Sequence, residues 1–147
     1  MAISAKDVME LRKQTDCGMM ECKKALTEAD GNFEKAIEIL RERGLATAAK
    51  KASRVAAEGM VYADYCPECK VGVVIEVNAE TDFVAKNAKF QAYVDQVCDQ
   101  ALTTSATDID AFLAEKWNLD ENRTVAEQLS EEISIIGENM HIRRFQK

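Results

Sequence analysis

Histidine and proline are nearly missing from this sequence, which has one of each, His141 and Pro67, in 147 residues. A general base or a catalytic triad would need His141, which lies between Met140 and Ile142 in an apolar stretch that favours a strand. We therefore interpret His141 as a structural residue and assign no catalytic residue. The sequence also lacks the Gly-x-x-x-x-Gly-Lys-Ser/Thr loop that cradles phosphates. We expect a protein that acts by binding and not by covalent catalysis.

Long apolar runs are missing too. The longest fall far short of the ~20 residues that cross a membrane, and the start, MAISAKD, has no basic segment followed by an apolar core. The net charge is −7, to which residues 1–58 contribute +1 and residues 59–147 contribute −8. An acidic chain lacks the basic face that neutralises phosphates. We expect a cytoplasmic protein that binds neither a membrane nor a nucleic acid.

Cysteine is present in an odd number, and no secretion signal accompanies it, so a disulfide framework is not expected. We expect reduced thiols at all five positions: Cys17, Cys22, Cys66, Cys69 and Cys98. The C-P-E-C motif at residues 66–69 is half of a structural zinc site, and only Cys98 and His141 could complete it. A thioredoxin-like role needs such a pair at a helix N-terminus, whereas this pair lies between two predicted strands. No metal and no cofactor is therefore predicted.

Helix signals fill the first 58 residues. Helices are predicted to begin at Ser4, at Met19 and at Phe33, because each position combines a cap or a break with apolar residues at helical spacing. Gly44 is predicted to end the third helix. An alanine-rich stretch follows, which favours a helix but offers almost no core residues. The predicted organisation is a three-helix module at 1–44 and a linker helix at 45–58.

β-branched residues predict strands in the remainder of the chain. Residues 59–65 and 70–78 form a hairpin whose turn contains the C-P-E-C motif. The second strand is apolar without a break at 73–75, so we expect it to be covered on both faces. The predicted fold class is α+β, with a small antiparallel sheet covered by helices in a core subdomain at 59–147. The other predicted elements are helices at 83–102, 108–117 and 124–136 and a third strand at 140–145.

The junction at residues 78–87 (NAETDFVAKN) joins the second strand to the first helix of this subdomain. Thr81 and Asp82 provide side-chain oxygens that can accept hydrogen bonds from the first free N–H groups of a helix. Phe83 follows directly, and an aromatic residue at such a corner points either into its own core or towards a partner. Residues alone leave both interpretations open.

Four stretches resemble the bacterial elongation factor Ts family. They are residues 15–26 (TDCGMMECKKAL), 48–59 (AAKKASRVAAEG), 80–87 (ETDFVAKN) and 136–145 (IGENMHIRRF). They occur in the family's order and spacing across nearly the whole chain. The pattern at residues 30–40 also resembles ubiquitin-associated domains, whose fold the family's N-terminal module shares. The resemblance thus implies a ubiquitin-associated-like bundle followed by the first core subdomain.

The resemblance also implies a function, which is guanine nucleotide exchange on elongation factor Tu with release of GDP and Mg²⁺. It implies partner-binding roles at two sets of residues. The first set is Thr81, Asp82, Phe83 and Val84, and the second is Arg12, Met19, Met20 and Lys23.

Family members usually continue past residue 145, most of them into a second core subdomain, whereas this sequence ends at Lys147. The difference leaves open a truncated chain, an incomplete gene or a short form that pairs as a homodimer. Two other interpretations remain open as well. One is a ubiquitin-associated-type adaptor without exchange activity, and the other is a small zinc or redox protein built on Cys66 and Cys69.

Overall fold

A computed structural model describes residues 2–147 and confirms an α+β fold with small antiparallel sheets. No helix among these residues is long and apolar enough to span a membrane. The helices are α1 (Ala5–Thr15), α2 (Met19–Glu28), α3 (Phe33–Lys51), α4 (Asp82–Ala85), α5 (Ala88–Thr103), α6 (Ile109–Ala114) and α7 (Val125–Ile136). The strands are β1 (Glu58–Cys66), β2 (Val71–Ala79), β3 (Lys116–Trp117), β4 (Asp120–Thr124) and β5 (Met140–Gln146).

The first three helices pack around an N-terminal cluster of buried residues. The predicted start of α1 is confirmed, because Ser4 and Asp7 form a reciprocal capping box. Asn32 caps α3 by accepting a hydrogen bond from the backbone of Lys35 at 3.0 Å. The N-terminal cluster consists of Val8, Leu11, Cys22, Ala25, Leu26, Ala29, Ala36 and Leu40.

The predicted stop at Gly44 is wrong, because α3 continues without interruption to Lys51. Gly44 is buried, and a Cβ atom placed on it would lie 3.8 Å from Cβ of Ser134 in α7. The glycine therefore lets two helices approach closely, and it does not terminate one. The predicted third helix and linker helix are one element, and residues 52–57 are not helical. The division of the chain into modules at 44 stays a prediction.

The main sheet has the order β1-β2-β5, and both pairings are antiparallel. The predicted hairpin and third strand are thereby confirmed. The prediction that β2 is covered on both faces is wrong: Val73 and Ile75 are 3% and 1% exposed, while Val74 between them is 39% exposed. The strand alternates as expected when one face packs on a core and the other faces solvent.

The C-terminal cluster fills the space between the inner face of this sheet and helices α5, α6 and α7. It contains Val73, Ile75, Val77, Ala79, Phe90, Tyr93, Val94, Val97, Cys98, Ala101, Phe112, Trp117, Val125, Ile133, Met140 and Ile142. Its aromatic side chains form tilted pairs, with Phe112 and Phe145 ring centroids 4.9 Å apart. The end of β2 is therefore anchored on a large apolar core.

Two predicted helices differ in detail, and one short hairpin was not predicted. The helix expected at 83–102 is divided into α4 and α5, because Asn87 accepts hydrogen bonds from the backbone N–H groups of Lys89 and Phe90 and begins a new helix. The helix expected at 108–117 ends at Ala114. The short hairpin of β3 and β4 then follows, and its alternation is too brief to be read from sequence.

The cysteine prediction is wrong at one pair. Cys66 and Cys69 are joined by a disulfide at the tip of the β1–β2 hairpin. The odd total is accounted for by three free thiols at Cys17, Cys22 and Cys98. Two cysteines separated by two residues of a tight turn are close enough to bond locally without a wider framework, since their Cα atoms lie 5.5 Å apart.

Candidate functional site

The corner, residues 79–87, lies where β2 leaves the sheet and α4 begins. Thr81 is the N-cap of α4, and its side chain accepts a hydrogen bond from the backbone N–H of Val84 at 3.4 Å. Val84 is half-buried and packs on the C-terminal cluster. Phe83 points away from that cluster and is 81% exposed. The corner therefore presents an aromatic side chain to solvent on a short, capped helix.

Glu138, in the loop between α7 and β5, holds the corner in place. Its carboxylate accepts hydrogen bonds from the backbone N–H groups of Glu80 at 3.1 Å and Thr81 at 3.0 Å. It also accepts one from the hydroxyl of Thr81 at 2.6 Å. Hydrogen bonds to an ionised carboxylate are among the stronger ones in proteins. Three of them on two consecutive residues hold the start of α4 in one orientation.

Glu80 makes the reciprocal contact. Its carboxylate accepts a hydrogen bond from the backbone N–H of Asn139 at 2.7 Å and pairs with Arg54 at 3.6 Å. The side chain of Asn139, which is 1% exposed, donates to the backbone carbonyl of Arg54 at 2.7 Å. The corner is thus connected both to the start of β5 and to the segment that follows α3. We call Glu80, Glu138 and Asn139 the clamp.

Asp82 and Lys86 form an ion pair one helical turn apart, with 2.9 Å between Oδ2 and Nζ. The hydrogen bond from Lys86 lowers the pKa of Asp82, and the same contact raises the pKa of Lys86. Both side chains are exposed. Asp82 therefore carries a negative charge beside Phe83, and a partner that engages this carboxylate competes with Lys86.

The four predicted corner residues thus divide into two pairs. Asp82 and Phe83 face solvent, whereas Thr81 and Val84 contact the chain's own backbone and core. The interpretation of Thr81 as a helix cap is confirmed. A partner-binding role for any of the four residues stays a prediction.

The second predicted set lies on α1 and α2, outside the corner. Met19 and Met20 are both exposed, Met20 by 62%. The expectation that these adjacent positions cannot both face one core is confirmed. Met20 and Lys23 line a shallow groove of about 420 Å³ together with Arg43 of α3. Arg12 is exposed on α1 and does not line this groove.

An ion pair joins the turn between α1 and α2 to the start of α5, next to the corner. Nζ of Lys89, in the first turn of α5, lies 2.7 Å from a carboxylate oxygen of Asp16, in the turn between α1 and α2. Lys89 follows the corner directly, so the start of α2 and the corner are held on neighbouring parts of the molecule. The two predicted sets remain separate surfaces on one body.

The clamp was missed by reasoning from sequence. The only signal was a polar Glu138-Asn139 pair between the end of α7 and the apolar start of β5. Nothing in the pattern assigns that pair to Thr81, which is 57 residues away along the chain.

One acidic cluster outside the corner has spacing compatible with a metal ion. Carboxylate oxygens of Asp64, Asp95 and Asp99 lie within 4.8 Å of one another, and all three residues are exposed. Tyr62 donates a hydrogen bond to Asp95 at 2.9 Å, so part of this cluster already has a protein partner.

His141, the candidate structural histidine, is exposed, and its Nε2 lies 3.2 Å from the side-chain Nδ2 of Asn139.

Comparison with known proteins agrees with the resemblance. The family model described as Elongation factor TS matches residues 80–147, which include the corner and the clamp. The chain is 52% identical over 145 residues to Elongation factor Ts of Clostridium novyi (strain NT) and 51% identical to that of Trichlorobacter lovleyi. These alignments cover 99% of this chain and 47% of each relative, so the chain spans about half the length of the curated relatives it matches. Over nearly its whole length the chain is similar to proteins named Elongation factor Ts, and its residues 80–147 match the elongation factor Ts family model.

Proposed function

We propose that this chain is a guanine nucleotide exchange factor that binds elongation factor Tu and promotes the release of GDP and Mg²⁺. It acts by binding alone, without covalent catalysis, and it holds both the GDP-bound and the nucleotide-free partner. The observation that carries the proposal is Phe83, which is 81% exposed on a corner held by the three hydrogen bonds of Glu138. An exposed aromatic side chain on a rigid support is typical of a binding anchor.

The energetics of exchange set what the corner must supply. Exchange of this kind is a coupling between two sites, so the factor by which the chain weakens GDP binding equals the factor by which GDP weakens binding of the chain. A thousandfold weakening corresponds to about 4 kcal/mol. Burial of the Phe83 side chain in a cleft of the partner contributes about 1.5–3 kcal/mol. Phe83 therefore supplies a large part of the coupling but not all of it.

The clamp reduces the cost of binding. A flexible loop loses conformational entropy when it docks, and a preorganised one does not. Because Glu138 and Glu80 already order the backbone at Thr81, the insertion of Phe83 requires little further ordering. More of the contact energy is then available to weaken GDP binding.

Asp82 supplies the electrostatic part of the mechanism. Its carboxylate is held beside Phe83 by Lys86, at 2.9 Å. When Phe83 enters the partner, a negative charge is brought towards the site that holds the phosphates and Mg²⁺, and it repels the phosphates. Lys86 can then leave Asp82 and bind a group of the partner.

The N-terminal helices provide the second contact. We assign them a ubiquitin-associated-like fold, in which Arg12, Met19, Met20 and Lys23 form the surface that meets the partner. Flexible thioether side chains such as those of the two methionines adapt well to a partner surface. A second copy of this chain can add a further contact surface, in which case the active form is a homodimer.

Release of a fluorescent GDP analogue from elongation factor Tu tests the proposal. We expect the chain to accelerate release, and we expect Phe83→Ala to reduce the acceleration by roughly ten- to a hundredfold. Leu119→Ala is the matched control, since Leu119 is also largely exposed, at 66%, but lies between β3 and β4. Equal rates for wild type and Phe83→Ala would refute the proposed role of Phe83.

A second candidate function is an adaptor that binds a protein partner without nucleotide exchange. It is favoured by the separate N-terminal cluster and by the exposed Met19 and Met20 on its surface. Binding to elongation factor Tu in a pull-down, with no change in the rate of GDP release, would support the adaptor over the exchange factor.

A further inference from the structure

The tip of the β1–β2 hairpin is held in two independent ways. The β1–β2 pairing extends to the turn itself, where Cys66 of β1 pairs with Val71 of β2. The disulfide between Cys66 and Cys69 closes the turn in addition. Because the antiparallel pairing already fixes the two ends of the turn, the two sulfur atoms stay near each other when the disulfide is absent. The dithiol form is therefore poised to close again.

Access to the sulfur atoms differs sharply between this tip and the other cysteines. Cys69 is exposed and Cys66 is half-buried, whereas Cys22 and Cys98 are 0% exposed. Burial raises the pKa of Cys98 to about 11, so its thiol stays protonated near neutral pH. Cys17 is half-buried, and burial raises its pKa. Cys69 at the hairpin tip is thus the one cysteine among residues 2–147 that is exposed.

The turn also provides a group that stabilises a thiolate. The backbone N–H of Cys69 donates a hydrogen bond to Sγ of Cys66, with 3.2 Å between the heavy atoms. A hydrogen bond to the charged form lowers the pKa of a thiol. Cys66 is thus the better leaving group when the disulfide is cleaved, and Cys69 is the more accessible sulfur.

We propose that Cys66 and Cys69 form a reversible dithiol–disulfide couple that exchanges with low-molecular-weight thiols and their disulfides. This modification site is independent of the exchange function proposed above. The tip and the corner lie at opposite ends of β2, which has nine residues and a length of about 27 Å.

In reduction, a thiolate attacks Sγ of Cys69, the Cys66–Cys69 bond breaks, and Cys66 leaves as a thiolate. A second thiolate then attacks the external sulfur of the mixed disulfide, which releases the Cys69 thiolate and one molecule of low-molecular-weight disulfide. Two thiols are oxidised, and one protein disulfide is reduced to two thiols. Oxidation is the reverse, with a low-molecular-weight disulfide as the oxidant.

Equilibration of the folded full chain with mixtures of reduced and oxidised glutathione tests the couple. The products are quenched with acid, alkylated and analysed by peptide mass spectrometry. We expect the fraction of the Cys66–Cys69 disulfide to rise smoothly from near zero to near one as the proportion of oxidised glutathione rises, with Cys22 and Cys98 unmodified throughout. A disulfide that withstands millimolar thiol until denaturant is added would overturn the proposal. So would a dithiol that remains free in excess oxidised glutathione.

Two single variants test the assignment of the sulfurs. Cys66→Ser removes the resolving thiol, so glutathione should accumulate as a mixed disulfide on Cys69. Cys69→Ser leaves the less accessible Cys66, which should be modified at least several-fold more slowly. Cys17→Ser is the control, and its Cys66–Cys69 pair should react with glutathione at the same rate as in the wild type. Equal rates of modification in the first two variants would contradict the assignment of Cys69 as the attacked sulfur.

Discussion

The N-terminal and C-terminal clusters differ in what they are made of. The N-terminal cluster contains no fully buried aromatic side chain, and half of its eight residues are alanine or cysteine. The C-terminal cluster buries the aromatic side chains of Phe90, Tyr93, Phe112 and Trp117. Because each buried aromatic residue removes 150–250 Å² or so from water, the C-terminal cluster supplies most of the stability. The exposed corner is thus built on the stronger of the two cores, and the exposed methionines on the weaker.

The two regions are joined by the packing of α3 on α7, where Gly44 and Ala48 are small residues, and by polar contacts. Arg41 of α3 pairs with Glu127 of α7, and Lys51 donates to the backbone carbonyl of Gly137 at 2.6 Å. Partly exposed ion pairs contribute little to stability, commonly less than about 1 kcal/mol each. We therefore expect the N-terminal helices to open without unfolding the C-terminal cluster. The predictions below test this difference, and they also test the division into modules that the sequence suggests.

Phe90→Ala should have the largest effect. Phe90 is 0% exposed in the C-terminal cluster, and its loss leaves a cavity that should cost about 3–5 kcal/mol of unfolding free energy. Denaturant unfolding followed by circular dichroism measures this loss. A cost below about 1 kcal/mol would show that this cluster does not dominate stability.

Leu26→Ala should cost less, towards the lower end of about 2–5 kcal/mol, and its effect should be local. Leu26 is 0% exposed in the N-terminal cluster. We expect amide hydrogen exchange to accelerate in α1, α2 and the first half of α3, while protection in β2 and α5 is unchanged. Equal loss of protection in both regions would mean that the two clusters unfold as one unit.

Glu138→Ala should loosen the corner at a cost of about 1–3 kcal/mol, because it leaves the N–H groups of Glu80 and Thr81 without their acceptor. Faster hydrogen exchange at these two amides, with Phe90 still protected, measures the effect. The variant should also accelerate GDP release from elongation factor Tu less than the wild type does, since Phe83 loses its fixed support. Glu138→Gln, which keeps an acceptor oxygen, is the matched control and should retain most of the protection.

Met20→Ala should weaken binding to elongation factor Tu by less than about 1 kcal/mol, or roughly fivefold. Met20 lies on α2, beside the weaker N-terminal cluster, and is already 62% exposed, so its loss should not change folding. Titration by isothermal calorimetry, beside Phe83→Ala, compares the two surfaces. A greater loss for Met20→Ala than for Phe83→Ala would make the N-terminal helices the main contact.

Glu127→Gln should give the smallest effect, a small loss of stability near neutral pH that disappears in acid. The backbone N–H of Thr124 is the main cause that lowers the pKa of Glu127 below its ordinary value of 4.5, and Arg41 adds to it. A carboxylate with a lowered pKa stabilises the fold above its ordinary pKa, and this contribution is lost as the pH falls through the folded value. The variant should therefore lose less stability than the wild type when the pH falls below about 4.5. Parallel acid limbs in thermal melts would contradict the prediction.

Local signals in the sequence predicted much of the fold because their causes are local. The capping box at Ser4, the apolar face of α5 and the hairpin each depend on residues close together in the chain. The errors at Gly44 and Val74 have another origin. Gly44 lies inside a helix because it approaches α7, which is distant in sequence. Val74 is exposed because the outer face of the sheet is open to solvent there.

The candidate site was predictable in part for the same reason. The helix cap at Thr81 follows from the junction itself, whereas the residues alone left the direction of Phe83 open and the resemblance to the family directed attention to it. The clamp could not be predicted, because Glu138 and Thr81 are brought together only by the pairing of β2 with β5. The disulfide was missed because the odd count of cysteines was applied to the whole chain and not to one turn.

Helix α3 belongs to both regions, with Leu40 in the N-terminal cluster and Ala48 packed against the C-terminal one. It has 19 residues and a length of about 28 Å, so its length sets the distance between the methionine surface on α2 and the corner. Insertion of one residue between these positions would turn the first two helices by about 100° and shift them by about 1.5 Å relative to the corner. The length of this helix, and not only the residues on either surface, sets whether Met20 and Phe83 can meet the same partner at once.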